Sequence, residues 1–315
     1  MCEFFAAGDN TYGQLWNPKY KLCPIFVQCT SFPLKPSEEI TQISIFNQTL
    51  AVLINKSKVL FKHEDQEIIY FNGSFTSIAC LDNTVFALTD DGKIINLTTK
   101  ECYDSSKFVS FAVSPTYIVA IDEDHNAILL NQDSEPSKIA EDAIVVGCTT
   151  DIIFIATSES LLKYEDGEIT SIKSNQIAAI ACSEDDVLFL DTEGTVWKYE
   201  LNNLIQMYAL PPIVSISLGP QHAAALSVDG RLYTWGFNPS GQLGIGTDLP
   251  TNYPSMVIEN VIQVACGTHH TLALCSKTKR PLIPEHMKTN QKIFENFTRP
   301  STKTVGKITR AELLF

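Results

Sequence analysis

The sequence runs to 315 residues, 44% of them hydrophobic and 19% charged, which supplies a sizeable core and excludes wholesale disorder or collagen-like repetition. Its 36 acidic residues against 23 basic ones give a formal net charge of −13, the wrong sign for a globally basic nucleic-acid binder. No apolar run approaches the roughly 18 residues of a membrane span, so no membrane partner is expected. The opening Met1-Cys-Glu-Phe-Phe lacks the basic start of a signal peptide. With that, the sequons at Asn47, Asn72, Asn96 and Asn296 read as chance. The nine scattered cysteines read as buried free thiols in a reducing, cytoplasmic setting, with nuclear or cytoskeletal and ciliary association also compatible.

Taken in chain order, residues 4–8 and 24–29 read as two strands with no partner nearby. A unit then begins that recurs every thirty-odd residues: a short apolar strand containing a small residue, a polar break, a second strand, a turn, and two further strands. Phe75-Thr-Ser-Ile-Ala-Cys-Leu and Ile177-Ala-Ala-Ile-Ala-Cys-Ser open two copies that align without a gap over twenty residues. Seven copies share a register, with equivalent positions at Ile43, Ile78, Phe111, Val145, Ile180, Ile216 and Val264. The next residue is small in six of the seven, and the tenth residue beyond is always apolar (Leu53, Leu88, Ile121, Ile155, Leu190, Leu226, Leu274). Asp91-Gly92, Glu193-Gly194 and Asp229-Gly230 read as two-residue hairpin turns, with glycine supplying positive φ. After Asp229-Gly230 the strand opened by Leu232 pairs back on its predecessor.

Seven four-stranded units make a propeller. The seventh copy has only its first two strands, 261–267 and 270–275. The strands at 4–8 and 24–29 supply the missing pair, so one blade drawn from both termini closes the ring without an open edge. The expected fold is all-β: a seven-bladed β-propeller over residues 1–276, with a basic C-terminal extension at 277–315. From Ser276 onward the chain carries nine Lys/Arg and three Glu, interrupted by prolines.

The most regular copy reads Leu232-Tyr-Thr-Trp-Gly-Phe-Asn-Pro-Ser-Gly-Gln-Leu-Gly-Ile-Gly246 and continues Val261-Ile-Gln-Val-Ala-Cys-Gly-Thr-His-His-Thr-Leu-Ala-Leu274; Ala7-Gly-Asp-Asn-Thr-Tyr-Gly-Gln-Leu15 and Ser217-Leu-Gly-Pro-Gln-His222 are partial copies. These segments resemble the regulator-of-chromosome-condensation repeat. The motif holds over 213–275; blades two to five match by register alone. The resemblance implies a seven-bladed propeller with two-ended closure. It also implies a function from a family that includes exchange factors for small GTPases, chromatin binders, and interaction modules of cytoskeletal, ciliary or ubiquitin-ligase proteins. The basic N-terminal tail of the family's founding exchange factor is not expected here, because Phe4 already reads as strand.

No cofactor follows from the residues. Gly-Gln-Leu-Gly-Ile-Gly matches neither dinucleotide nor P-loop spacing and reads as tight turns. Cys266, His269, His270 and Cys275 alternate along a strand and lack a second ligand pair, which argues against zinc. His222 and His270 share one repeat position and read as structural. No catalytic constellation stands out, so the reading is a non-enzymatic interaction module or scaffold subunit. Guanine nucleotide exchange on a small GTPase is the alternative.

The candidate binding residues follow from the long connections. Residues 9–23 and 237–252 leave equivalent strands of adjacent blades and therefore share a face, carrying Tyr12, Trp16, Tyr20, Phe237 and Tyr253. Either these form an exposed aromatic ridge for a protein partner, or Trp16 and Phe237 tuck beneath their own loops. In the tail, Lys292, Phe294, Phe297, Arg310 and Phe315 are candidate contacts for an acidic surface: a cytoskeletal, chromatin-associated or nucleic-acid partner, or the propeller itself. The propeller is not expected to bind nucleic acid directly.

Overall fold

The computed structural model describes residues 2–35, 37–64, 66–130 and 135–276. Lys292, Phe294, Phe297, Arg310 and Phe315 lie outside them. The described residues form seven four-stranded antiparallel sheets and no helix. Blades 1 to 6 occupy 40–72, 75–103, 108–140, 143–172, 177–206 and 213–258, each with its strands in chain order. In blade 7 the order is Val261–Cys266, His270–Ser276, Cys2–Asp9, Leu22–Gln28. The first strand of every blade is innermost and packs on the first strand of the next blade, and Val261–Cys266 against Ile40–Phe46 completes the circle. The closure expected from the sequence is therefore present: Cys2–Asp9 pairs with His270–Ser276 from Cys2↔Ser276 to Gly8↔His270.

Burial follows from layering. Second strands are flanked by blades on both sides and are buried throughout, as in Thr49–Ile54 and Ile153–Thr157. The apolar runs at their centres have the same origin as those of any strand covered on two faces. The seven positions ten residues beyond the repeat register fall on these strands, and all are buried. The register positions themselves divide: Ile43, Ile78 and Val264 are buried; Val145 is half-buried against Phe154 and Phe189; Phe111, Ile180 and Ile216 are half-buried and line the central channel. The small residues beside them relieve crowding there. Blade 4 has Val146 at that position and places Gly147 one residue on, where a Cβ would press on the Ile180 side chain at 2.6 Å.

Side chains of the innermost strands also tie blade to blade. Ser44 Oγ accepts a hydrogen bond from Cys80 N (3.0 Å), and Ser217 Oγ accepts one from Cys266 N (2.9 Å). The Gln42 amide bridges both backbone groups of Ile78, at 2.8 and 3.0 Å. Gln263 Nε2 donates to Thr41 O (3.0 Å) across the closing seam. Burial pushes the Cys80, Cys148 and Cys266 thiols up to about 12, which keeps them protonated and unreactive near neutrality. None of the nine cysteines is in a disulfide.

The hairpin turns depart from expectation. At Asp91-Gly92, Glu193-Gly194 and Asp229-Gly230 the structure builds three-residue loops, not two-residue ones. Gly92 N donates to Thr89 O (3.1 Å) while Thr89 N donates to Lys93 O (2.8 Å), and the other two repeat this pattern. Each is a type I turn followed by a left-handed glycine bulge, with φ 82°, 84° and 81°. The reason lies outside the hairpin. The carbonyls of Gly92, Gly194 and Gly230 accept from Phe108, Ile213 and Val261 N, the first residues of the next blades, at 2.8–3.0 Å. A two-residue turn would not present that carbonyl.

Antiparallel alternation gives the ring two faces. First-to-second and third-to-fourth connections emerge on one, here the loop face. Second-to-third turns and blade-to-blade connections emerge on the other, the turn face.

Candidate functional site

Both long connections, 10–21 of blade 7 and 237–250 of blade 6, stand on the loop face and are built on Asn-x-x-Gly-Gln-Leu. In the first, buried Asn10 accepts from Leu15 N (2.7 Å) and donates to Asn17 O and Tyr20 O (2.8 and 2.6 Å). In the second, buried Asn238 accepts from Leu243 N (2.9 Å) and donates to Thr247 O and Leu249 O (2.8 and 3.0 Å). One amide thus staples each loop at both ends. Gln14 and Gln242 each accept a backbone N–H from two residues earlier, at 2.8 and 3.0 Å.

The loops rest on a shared platform. His222 Nε2 and Thr271 Oγ1 are 2.8 Å apart, and Thr271 Oγ1 donates to Gln242 O at 2.7 Å. Burial lowers His222 to about 3, aided by the neighbouring His270 and His269, and lowers His270 to about 4. Both imidazoles are neutral at physiological pH. The loop of blade 6 then leans across onto blade 7: Gly246 N donates to Pro24 O (2.7 Å), and Ile25 bridges Ile245. The loop of blade 7 leans on blade 1, where Lys62 Nζ donates to Tyr12 O (3.0 Å).

The five expected ridge residues are not equivalent. Phe237 is 45% and Tyr253 79% exposed, and Tyr12 is 39% exposed. Tyr20 is half-buried, with Lys19 Nζ 4.9 Å from its ring centroid. Trp16 is buried at 8%, packed edge-on to Phe32 at 5.0 Å, with Phe32 in turn 4.4 Å from Phe4. The exposed set is therefore Tyr12, Phe237 and Tyr253, joined by Leu249 at 66%.

Beside Phe237 lies a cavity of about 350 Å³ between blades 5 and 6. Val187, Leu188, Met207, Leu218 and Trp235 supply an apolar wall, and Asp186, Lys198, Gln221 and Asn252 a polar rim. Gln221 O accepts the Phe237 N–H (2.9 Å), and Asn252 adjoins Tyr253 in the chain, so cavity and exposed aromatics form one patch. The loop-face mouth of the channel is acidic. The seven first-to-second connections carry Asp82, Asp151, Glu184, Asp185 and Asp186 and no Lys or Arg.

The sequence model of the regulator of chromosome condensation (RCC1) repeat matches residues 213–242 and 229–274. The ultraviolet-B receptor UVR8 of Arabidopsis thaliana is 30% identical over 129 residues, covering 35% of this chain and 29% of that protein. Protein pim1 of Schizosaccharomyces pombe is 28% identical over 148 residues, covering 37% and 28%. The match thus spans less than a third of these relatives' lengths. The crystal structure of Prp20p from Saccharomyces cerevisiae superposes with a TM-score of 0.75 over 94% of this chain and 95% of that one, at 14% identity.

The chain is a seven-bladed propeller that carries RCC1 repeats over residues 213–274.

The matched residues build blade 6, including its long loop, and the first two strands of blade 7. Trp16 marks the divergence. Aligning Asn10-Thr-Tyr-Gly-Gln-Leu-Trp16 with Asn238-Pro-Ser-Gly-Gln-Leu-Gly244 puts Trp16 on the repeat's glycine, and both have positive φ, 50° and 69°. That comparison was available in the sequence and would have predicted a constrained, inward residue. The cavity had no such signal, since its walls come from positions up to 66 residues apart, Asp186 to Asn252.

Proposed function

We propose that the protein is a non-enzymatic interaction module that seats a protein partner on the loop face of blades 5 to 7. One observation carries this reading: a socket of about 350 Å³ with an apolar wall opens next to exposed Phe237 and Tyr253, which flank a loop stapled by the buried Asn238 amide. Rigid aromatic anchors beside a socket are the composition of an interface hot spot. The acidic channel mouth on the same face favours a partner whose apolar anchor is flanked by basic residues. The last described strand, His270–Ser276, ends on the opposite face.

Affinity capture with the full chain tests it. Phe237→Ala with Tyr253→Ala reduces partner recovery at least about tenfold, as expected for loss of two hot-spot side chains, and leaves the melting temperature unchanged. Undiminished recovery of the same partner by the double variant overturns the site.

Exchange on a small GTPase is the second reading. What favours it is the likeness to Prp20p, whose structure is described together with binding to Gsp1p and histones. Accelerated release of fluorescent GDP from a GTPase panel supports it; unaltered release at micromolar protein removes it.

A further inference from the structure

The turn face carries a second feature. Every innermost strand skips one residue in pairing with its neighbour, always the second of the strand, as between Ile40 and Gln42 or between Val261 and Gln263. A β-bulge turns the extra residue out of the ladder. Because the bulge recurs seven times at the same height, the skipped residues ring the channel's mouth on the turn face. Val109, Ile144, Val214 and Ile262 are 53%, 43%, 54% and 45% exposed. Ala178 and Thr76 are exposed as well, and Thr41 is intermediate. Four of the seven positions thus present exposed β-branched apolar side chains at one mouth, and exposed apolar surface gathered in this way marks a contact.

Topology indicates what covers it. The strand His270–Ser276 runs from the loop face to the turn face and lies next to the innermost strand of blade 7. Ser276 N donates to Asn260 O at 3.0 Å, so the last described residue lies at the turn-face end of blade 7, beside the connection that leads into the strand bearing Ile262. The 39 residues that follow carry nine Lys/Arg and three Glu, with Phe294 and Phe297 close together. The described connections of the turn face hold thirteen acidic side chains against six basic ones. Both faces are acidic, so charge alone does not choose between them. The exit point and the apolar ring do. Reach is no obstacle: seventeen residues separate 276 from Phe294, about 55 Å of extended chain, against a mouth bounded by single strands.

We infer that segment 277–315 docks on its own propeller, seating Phe294 and Phe297 on the bulge ring and its basic residues on the acidic turn-face loops.

Hydrogen exchange and methyl NMR on the full chain test this. In the wild type, amides of 292–297 exchange about tenfold or more slower than in a free 277–315 peptide, as for a docked segment, at all protein concentrations. Val109→Glu, Val214→Glu and Ile262→Glu together, at exposed positions, abolish that protection. Phe294→Ser with Phe297→Ser, outside the propeller, shifts the methyl resonances of Val109, Ile144, Val214 and Ile262 and leaves those of buried Leu53 in place. This second variant serves even if the ring variant fails to fold. Unprotected 292–297 amides, protection indifferent to the ring variant, or unmoved ring methyls overturn the inference. Protection that grows with protein concentration also overturns it, by making the occupant a second copy. These readouts are independent of partner capture on the loop face.

Discussion

Trp16 shows how one substitution turns a repeat's turn into a packing element. Its φ of 50° is a conformation that costs an L-residue about 1–2 kcal/mol and glycine nothing. The side chain offsets that cost by closing over Phe32 and Phe4. Two opposed terms predict an order of stability. Trp16→Ala keeps the backbone strain and loses the packing, costing about 3 kcal/mol. Trp16→Gly loses the same packing but relieves the strain, and retains about 1 kcal/mol more than Trp16→Ala. Urea melts of the three proteins check this; an alanine variant as stable as the glycine one would show that the backbone is unstrained. Trp16 is thus unsuited to a binding test, since its loss lowers stability. The sequence left Trp16 open between an exposed ridge and a tucked position, because length and position mark a loop while burial depends on Phe32 arriving from the next connection. Phe237 occupies the place of Asp9 in the aligned loops, ahead of the stapled turn, and stays outside.

At the level of the hairpin, the sequence told where turns fall and misread their kind. Asp-Gly signals a two-residue turn in isolation, and Asp166-Gly167 is one, with both residues at positive φ and Glu165 paired to Glu168. The same dipeptide between second and third strands becomes a three-residue loop, because the next blade demands the glycine carbonyl. The difference is measurable. Gly167 has nothing within 4 Å of a Cβ position, so Gly167→Ala carries the φ penalty alone, about 1 kcal/mol. At Gly194 a Cβ lies 3.0 Å from both Ile213 N and Ile213 O, so Gly194→Ala adds a clash with blade 6 and costs about 2 kcal/mol or more. Equal melting points for the two variants would mean that the turn does not bear on its neighbour. The interblade Ser–Cys and Gln bridges were equally invisible, since they join residues one repeat apart or, for Gln263 and Thr41, 222 residues apart, that only the closed ring brings together.

For the whole molecule, the number of blades, the four-strand unit and the two-ended closure were all legible, because a repeat states its register many times over. Surfaces made between repeats were not. The ring's response to acid follows from the histidine platform at the junction of blades 6 and 7. His222 and His270 have folded-state values of about 3 and 4, below the ordinary 6.5. The unfolded chain therefore binds protons first, and stability falls as pH drops below about 6.5, by about 1.4 kcal/mol per pH unit for each histidine. The loss ceases near pH 4 for His270 and near pH 3 for His222. Denaturant midpoints at pH 7, 6 and 5 should fall with this slope, and His270→Asn should halve it. A slope unchanged by the substitution would place the acid sensitivity elsewhere.

Six blades are continuous meanders, each strand covalently joined to the next within one stretch of chain. The seventh is held between Cys2–Asp9 and His270–Ser276 by hydrogen bonds and packing alone. Because those two strands are antiparallel, residues 2 and 276 are neighbours at one end of the joint. A tension applied between them loads one pair at a time, peeling the seam like a zipper instead of shearing all its bonds at once. The ring is thus mechanically anisotropic: stiff around most of its circumference, with a built-in opening point whose release begins on the turn face.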